Sequence, residues 1–308
     1  MKRPLRATCI VNVAAGGAGQ ARDKIAQLFA HAAAEVKIED VDASGDAGTL
    51  ARKAVAGKSQ LVLAAGGDGT INAVAAALID TDAVLGVLPL GTFNHFAKDL
   101  KLPLELEAAV AAIFHGEVAT IDVGEVNGRI FLNNSSLGFY PGMVREREAN
   151  QRRGLGKWVA FAKAAIFIFK RYSPLYVRTK QEEATTLPAS TPFVFVGNNR
   201  YQIEGLHIGE RTSLDGGTLW VCQAPHAGRG MILRLALQAL IGRSDPRELV
   251  ILETPEFWVR PAAKTLRVAN DGEVNPMETP LHYRIRPRAL RVMVPPRDNA
   301  LVEPATLA

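Results

Sequence analysis

The chain has 308 residues, 48% hydrophobic and 22% charged, which excludes a disordered polymer and allows two domains of ordinary size. Lys and Arg number 36 against 31 Asp and Glu, a formal charge of +5 with an isoelectric point near 9.3. This modest excess suits an anionic partner without demanding nucleic acid. Two cysteines exclude a disulfide framework and a cysteine metal cluster.

The basic start, MKRPLRATCIVNVAAGG, is interrupted by Asn12 and followed by glycines, so it reads as a first strand over 6–13 rather than a signal peptide. Residues 21–34 then read as a helix with Ile25, Leu28, Phe29 and Ala32 on one face, and 36–41 as a short strand. A helix over 47–56, a strand over 61–65, a helix over 71–79 and a strand over 84–88 complete the alternation. This order predicts an α/β domain with a parallel sheet covered on both faces and ligands at the strands' carboxyl ends.

The character changes near residue 119. Alternating apolar positions flank Asn127-Gly128, a pair suited to the positive φ angles of a type I′ hairpin turn. Strand-like runs follow in 192–199, 216–225, 247–253, 256–261, 264–271, 281–287 and 289–295, which predicts a β-sandwich. One helix, about 155–172, interrupts them. It is apolar on nearly every face and flanked by Arg152, Arg153, Lys157, Lys170 and Arg171, a pattern of either a buried helix or one that docks on an anionic membrane. The expected division is 1–120 for the α/β domain and 121–308 for the sandwich, with a return of the C-terminal tail to the first domain allowed. Cys9 and Cys222 lie in strand-like runs and read as buried thiols of a reducing compartment, and no run reaches the roughly 18 apolar residues of a membrane span. A cytoplasmic protein is expected.

The chemistry gathers where strands end. In LVLAAGGDGTINAVAAAL (61–78), Gly66 and Gly67 permit positive φ and close approach of the backbone to a ligand, and the helix start that follows suits a phosphate. Asp68 would repel a bare phosphate. It either caps the helix or works beside a divalent ion or a proton in transfer. No Gly-Lys-Ser/Thr follows, and Gly16, Gly17 and Gly19 do not complete a dinucleotide fingerprint. Two further loops, 12–17 and 91–94, leave neighbouring strands at the same edge.

GGDGTIN (66–72) together with GTFNHFAKDL (91–100) resembles the diacylglycerol kinase catalytic domain family, which bacterial lipid kinases share with sphingosine and ceramide kinases. The likeness extends to 133–139, 195–205, 213–221 and 269–275, in order along nearly the whole chain. It implies an ATP-dependent lipid kinase with a nucleotide-binding first domain, a β-sandwich second domain and a cleft between them. Asn12, Gly16 and Gly17 match the family's first nucleotide loop; Gly66, Gly67, Asp68, Gly69, Thr70 and Asn72 match its phosphate loop; and Thr92 matches another ATP contact. Glu273, in Asp271-Gly272-Glu273, matches the proton acceptor, so Glu273, Asp68 and Asp271 are the expected catalytic set. Asn94, His95 and Lys98 are expected at the acceptor.

Some positions depart from the family's pattern. His95 stands where aspartate is usual, Lys98 where arginine is usual, and Val41 where a threonine often contacts ATP. Gly216, beside Asp215, falls where a second aspartate usually binds a structural magnesium. Mg2+ is therefore expected only with ATP, near Asp68. The expected partners are ATP, a neutral lipid, most simply diacylglycerol, and the surface of an anionic membrane. Nucleic acid is not among them, and a homodimer is compatible with the sequence. Alternatives are a sphingoid base or ceramide acceptor, an NAD kinase-like enzyme, and a nucleotide-binding regulatory protein with little catalysis.

Overall fold

The structure is a computed structural model that describes residues 6–12, 18–31, 36–41, 46–138, 177–179, 191, 193–204, 207–223, 234, 249–261 and 263–296. The chain divides into two compact units, 1–120 with 290–308, and 121–289.

In the first unit, strands β1 (Ala7–Asn12), β2 (Val36–Val41), β3 (Leu61–Gly66) and β4 (Val84–Pro89) run parallel in the order β2-β1-β3-β4. Arg291 and Val292, near the end of β17 (Leu281–Val294), extend the sheet in parallel beside β4. Helices α1 (Ala18–His31) and α5 (Leu106–His115) meet through Phe29 and Phe114. With Cys9, Val11, Leu63, Ala65 and Leu88 they form one core. Residues pointing the other way along the strands, Ile10, Val62, Ala64, Leu85 and Val87, are equally buried. Burial on both faces explains why these strands read as continuous apolar runs. Helices α2 (Ala47–Ala56) and α3 (Asp68–Leu78) pack on each other. Asp46 caps α2, accepting the Gly48 and Thr49 N–H groups.

Strand order places the reversal of winding between β1 and β3: the chain steps from β1 outward to β2, then returns past β1 to β3. That is where an open α/β sheet offers a ligand crevice. The short helix α4 (His95–Asp99) follows β4.

The second unit holds an antiparallel sheet in the order β13-β12-β9-β7-β15-β16, comprising Val250–Thr254, Leu219–Gln223, Phe193–Asn198, Asn134–Gly138, Thr265–Asn270 and Glu273–Glu278. A second layer contains β14 (Glu256–Val259) between β8 (Val177–Thr179) and the start of β17, with β5 (Glu117–Val126) and β6 (Arg129–Phe131). Val126, Val196, Val221, Val268, Phe257 and Tyr283 belong to the core these strands share. Beside them β10 (Tyr201–Glu204) and β11 (His207–Arg211) form a separate hairpin.

Asn127 and Gly128 carry the positive φ values expected of the hairpin, +47° and +80°. Two expectations are corrected. The helix expected over 71–79 spans Asp68–Leu78, beginning directly after Gly67. The runs 281–287 and 289–295 are one strand, bent where Arg288 adopts φ +51° and donates its N–H to Asp122. EVNPME forms the further strand β16, where Pro276, which cannot donate to a ladder, is tolerated because β16 is an edge strand. The helix expected at 155–172 lies outside the described residues.

Candidate functional site

Asn12 ends β1, and its side-chain amide donates to the hydroxyl of buried Thr70 in the first turn of α3 at 2.9 Å. This bond ties the first strand end to the phosphate loop. Gly66 is still strand and Gly67 has φ −85°, so neither glycine uses positive φ. Crowding requires glycine at Gly66 and at Gly91 instead, while Gly67 itself has room for a Cβ. A Cβ on Gly66 would lie 2.7 Å from Thr70, and one on Gly91 would lie 2.6 Å from the Gly67 Cα. Two strand-end loops therefore meet backbone to backbone, which leaves main-chain groups at the surface they share.

Asp68 is not the cap of α3. Gly67 holds that position and Asp68 is the first helical residue. Its Oδ1 accepts the Phe96 N–H at 3.4 Å. One half-buried carboxylate beside glycine loops fits magnesium that arrives with nucleotide phosphates, since such ions use one or two protein carboxylates and keep several waters. Asn72 follows in α3, while Gly69 and Thr92 are exposed. Gly16 and Gly17 lie outside the described residues. Val41 closes β2 opposite Asn12.

Asn94 is buried with φ +50°, and its amide is committed at both ends to Gly91, accepting the N–H at 3.0 Å and donating to the carbonyl at 2.8 Å. It builds the turn. His95 and Lys98 are exposed on α4, and the His95 ring stacks in parallel on Phe93, itself 52% exposed.

In the second unit, Asp271 and Gly272 form a two-residue turn with φ +47° and +89°, which leaves Glu273 exposed at the start of β16 opposite Asn270. The Asp271 carboxylate accepts the N–H groups of Leu132, Asn133 and Asn134 at 2.7, 2.8 and 3.0 Å. That commitment makes Asp271 a holder of the turn.

Sequence reasoning missed the groups behind this turn. Arg211, at the end of β11 and only 8% exposed, donates to the Leu132 carbonyl at 2.7 Å, the Asn198 carbonyl at 3.3 Å and the Asn133 side-chain oxygen at 3.2 Å. Asn198 donates to the Leu132 and Asp122 carbonyls. Asp122 is buried between apolar strand neighbours, which is the signal that marks it in the sequence. Arg211 gives no such signal, because its pattern is that of a solvated strand end.

The structural magnesium that the resemblance implies lacks one acid here, since Gly216 stands in place of the second aspartate. Asp215 accepts the Ser213 hydroxyl, and a Cβ on Gly216 would lie 2.9 Å from the buried Asn199 side-chain oxygen. The two Asp122 oxygens hold the N–H groups of Gly217 and Arg288. Among the described residues no three His, Cys, Asp or Glu side chains gather around one point.

Both thiols are free and buried, and burial pushes each up to about 12, with Asp40 adding to the effect at Cys9. Neither is reactive machinery. Among the described residues no helix is long and apolar enough to cross a membrane.

Comparison with known proteins agrees in both parts of the chain. Residues 6–126 match the diacylglycerol kinase catalytic domain, and residues 140–294 match the YegS C-terminal NAD kinase beta sandwich-like domain. A probable lipid kinase YegS-like protein of Pseudomonas aeruginosa is 32% identical over 266 residues, covering 84% of this chain and 85% of that one. A diacylglycerol kinase of Bacillus subtilis is 34% identical over 143 residues, 46% of this chain and 47% of its own. The solved structure of a putative diacylglycerol kinase from Bacillus anthracis shares the fold, with a TM-score of 0.70 at 23% identity over 98% of this chain and 100% of that one. The chain therefore belongs to the diacylglycerol kinase and YegS family of lipid kinases.

Proposed function

We propose that this chain transfers the γ-phosphate of ATP to a hydroxyl of a neutral lipid, with diacylglycerol as the acceptor. The observation that carries the reading is Asp68, a carboxylate set among glycine loops that suit phosphate, where a cation arriving with the phosphates offsets its repulsion of them. Asn12, Gly16, Gly17, Gly66, Gly67, Gly69, Thr70, Asn72 and Thr92 handle the nucleotide. Magnesium bound with ATP would be held by Asp68 and supplies neutralisation of charge on the γ-phosphate. Glu273 takes the proton of the acceptor hydroxyl as its oxygen bonds to the γ-phosphorus and the bond to ADP breaks. Asp271 and Asn94 hold turns, while exposed His95 and Lys98 meet the acceptor's polar part. The protein works in the cytoplasm and touches the anionic inner membrane face.

Labelled ATP presented with diacylglycerol, sphingoid base, ceramide and NAD tests the reading, with Glu273→Gln alongside. Label is expected in diacylglycerol and not in NAD. Loss of a general base costs roughly 10² to 10⁴ in rate, so the variant is expected to bind ATP and turn over in that reduced range. Near-normal turnover of the variant would remove Glu273 from the mechanism.

A further inference from the structure

We infer that Arg211 is a positioning residue for phosphoryl transfer, an internal cation that holds the turn presenting Glu273 and does the work of a structural divalent ion. The inference rests on Glu273 as the proton acceptor proposed above.

The stretch 132–134 is gripped from both sides. On its amide side the Asp271 carboxylate takes three N–H groups in succession. On its carbonyl side the Arg211 guanidinium reaches the Leu132 carbonyl and the Asn133 side chain, then bridges to the Asn198 carbonyl. Peptide dipoles between the two charges point their oxygens at the cation and their N–H groups at the anion, so each charge strengthens the bonds made by the other. Asp271 stands two residues before Glu273, and its φ of +47° is sustained by a clamp that fixes both ends of the turn's support.

The chemistry of the acceptors explains why the cation is an arginine. The three oxygens are neutral, whereas a small divalent ion held by protein normally draws on carboxylates. A guanidinium offers five N–H donors in a planar fork and spans several oxygens at once; an ammonium is a point charge. The carboxylates that lie closest in the network, those of Asp122 and Asp271, are spent on backbone N–H groups. Gly216 stands where the resemblance leads one to expect an acid, so that loop offers Asp215 as its one carboxylate.

The deciding experiment deletes the fork and offers it back in solution. Arg211→Ala is expected to lower kcat by roughly a hundredfold, the scale of a misplaced reacting group, with KM for ATP changed less than about threefold. Added guanidinium or methylguanidinium is expected to restore at least about tenfold of that loss, and magnesium beyond the ATP requirement none of it. Wild-type protein passed through a desalting column is expected to carry no stoichiometric metal by elemental analysis, with a Tm unchanged by EDTA. Should Arg211→Ala not fold, Arg211→Lys keeps the charge and loses the fork. Read by hydrogen exchange in a Glu273→Gln background, it is expected to speed exchange of the 132–134 amides, independently of turnover. Wild-type kcat in Arg211→Ala, a loss confined to KM, rescue by a divalent cation but not by guanidinium, unchanged amide exchange in the lysine variant, or one tightly held ion per chain would each overturn the inference. Retained turnover in Glu273→Gln alone would instead sink the assignment of the base and leave the clamp standing.

Discussion

The two units hold their working parts in opposite ways. In the first, the candidate nucleotide site is made mostly of main chain: strand ends that stop at glycines and loops in backbone contact at Gly67 and Gly91, tied by a hydrogen bond from the Asn12 side-chain amide to the Thr70 hydroxyl. In the second, the turn carrying Glu273 is held by charged side chains, Asp271 and Arg211, reaching backbone groups far away in sequence. The difference follows from the tasks. A phosphate chain is recognised by N–H groups that a side chain would only obstruct, whereas a base must be held within a fraction of an ångström and needs strong bonds around it. A glycine site is therefore broken by adding atoms, and a clamped turn by removing them.

Removing atoms at the clamp has the largest expected effect. Asp271→Ala deprives three N–H groups of a charged acceptor and also empties a left-handed turn position. It is expected to cost about 3 kcal/mol of stability and roughly a hundredfold in kcat. Asp271→Asn tolerates the turn conformation and keeps one acceptor, so it is expected to lose activity with a smaller fall in Tm. Equal effects of the two on kcat and Tm would mean that the turn, and not the charge, is what matters.

Adding atoms at the cradle comes next. A Cβ on Gly91 would lie 2.6 Å from the Gly67 Cα and 2.9 Å from the Asn94 oxygen, so Gly91→Ala is expected to destabilise by about 1–3 kcal/mol. At Gly67 the nearest atom to a Cβ is 3.5 Å away, an ordinary contact. Gly67→Val is thus expected to fold normally and lose ATP affinity by more than about tenfold, because the new side chain stands over backbone reserved for phosphate. Calorimetry with ATP beside thermal melts separates the two. Unchanged affinity in folded Gly67→Val would show that the loop is only a turn.

The same contrast explains what could be read from the sequence. Buried parallel strands announce themselves as apolar runs, and the glycine loops stand at their ends, so the first unit was legible from β1 through β4, while α4 and α5 beyond them were not read. The sandwich class was legible too, from alternation and from Asn127-Gly128. Its clamp was not: Arg211 contacts residues 13 and 79 positions away, and nothing local distinguishes a buried strand-end arginine from a solvated one. The glycines show the limit of reading even a visible loop. Residue type pointed to positive φ at Gly66 and Gly67; neither has it, and the crowding that requires glycine falls at Gly66 against Thr70 and at Gly91 against the Gly67 Cα, which only the folded neighbours determine.

In one respect the units are expected to respond alike. Each buries a thiol, Cys9 in β1 and Cys222 in β12, and burial pushes both up to about 12, from 9.0 in an exposed thiol. A folded-state value above the unfolded one means that the unfolded chain sheds its protons first. The stability involved is fully present below about pH 9 and is lost as pH rises toward 12. By pH 10.5 the loss is expected to reach about 1–2 kcal/mol per thiol. Urea melts of wild type, Cys9→Ala and Cys222→Ala at pH 7 and pH 10.5 measure it, and each alanine variant is expected to lose less between the two pH values than wild type. Identical pH dependence in all three would show that neither thiol titrates on unfolding.

The smallest expected effect is a side chain acting within the first unit as Asp271 acts in the second. Asp46 caps α2 through the N–H groups of Gly48 and Thr49, with the Thr49 hydroxyl and the Arg52 guanidinium nearby. Burial works to raise this carboxyl, yet the bonds from Gly48 and Thr49 together with Arg52 outweigh it and hold it below its ordinary value. A depressed folded-state value makes the sign opposite to that of the thiols: the contribution is present above the ordinary carboxylate range and is lost as pH falls below it. Asp46→Ala is expected to cost about 1 kcal/mol at pH 7, the usual value of an N-cap. Asp46→Asn keeps a cap acceptor and removes the charge, so it is expected to stay within a few tenths of a kcal/mol of wild type at pH 7 and to flatten this cap's share of the acid slope. A clamp on one helix start spans two residues, whereas Asp271 ties positions more than a hundred residues apart, so the alanine variant of Asp46 is expected to leave kcat untouched. If it lowered kcat as Asp271→Ala does, the contrast between a backbone-built site and a side-chain-clamped one would fail.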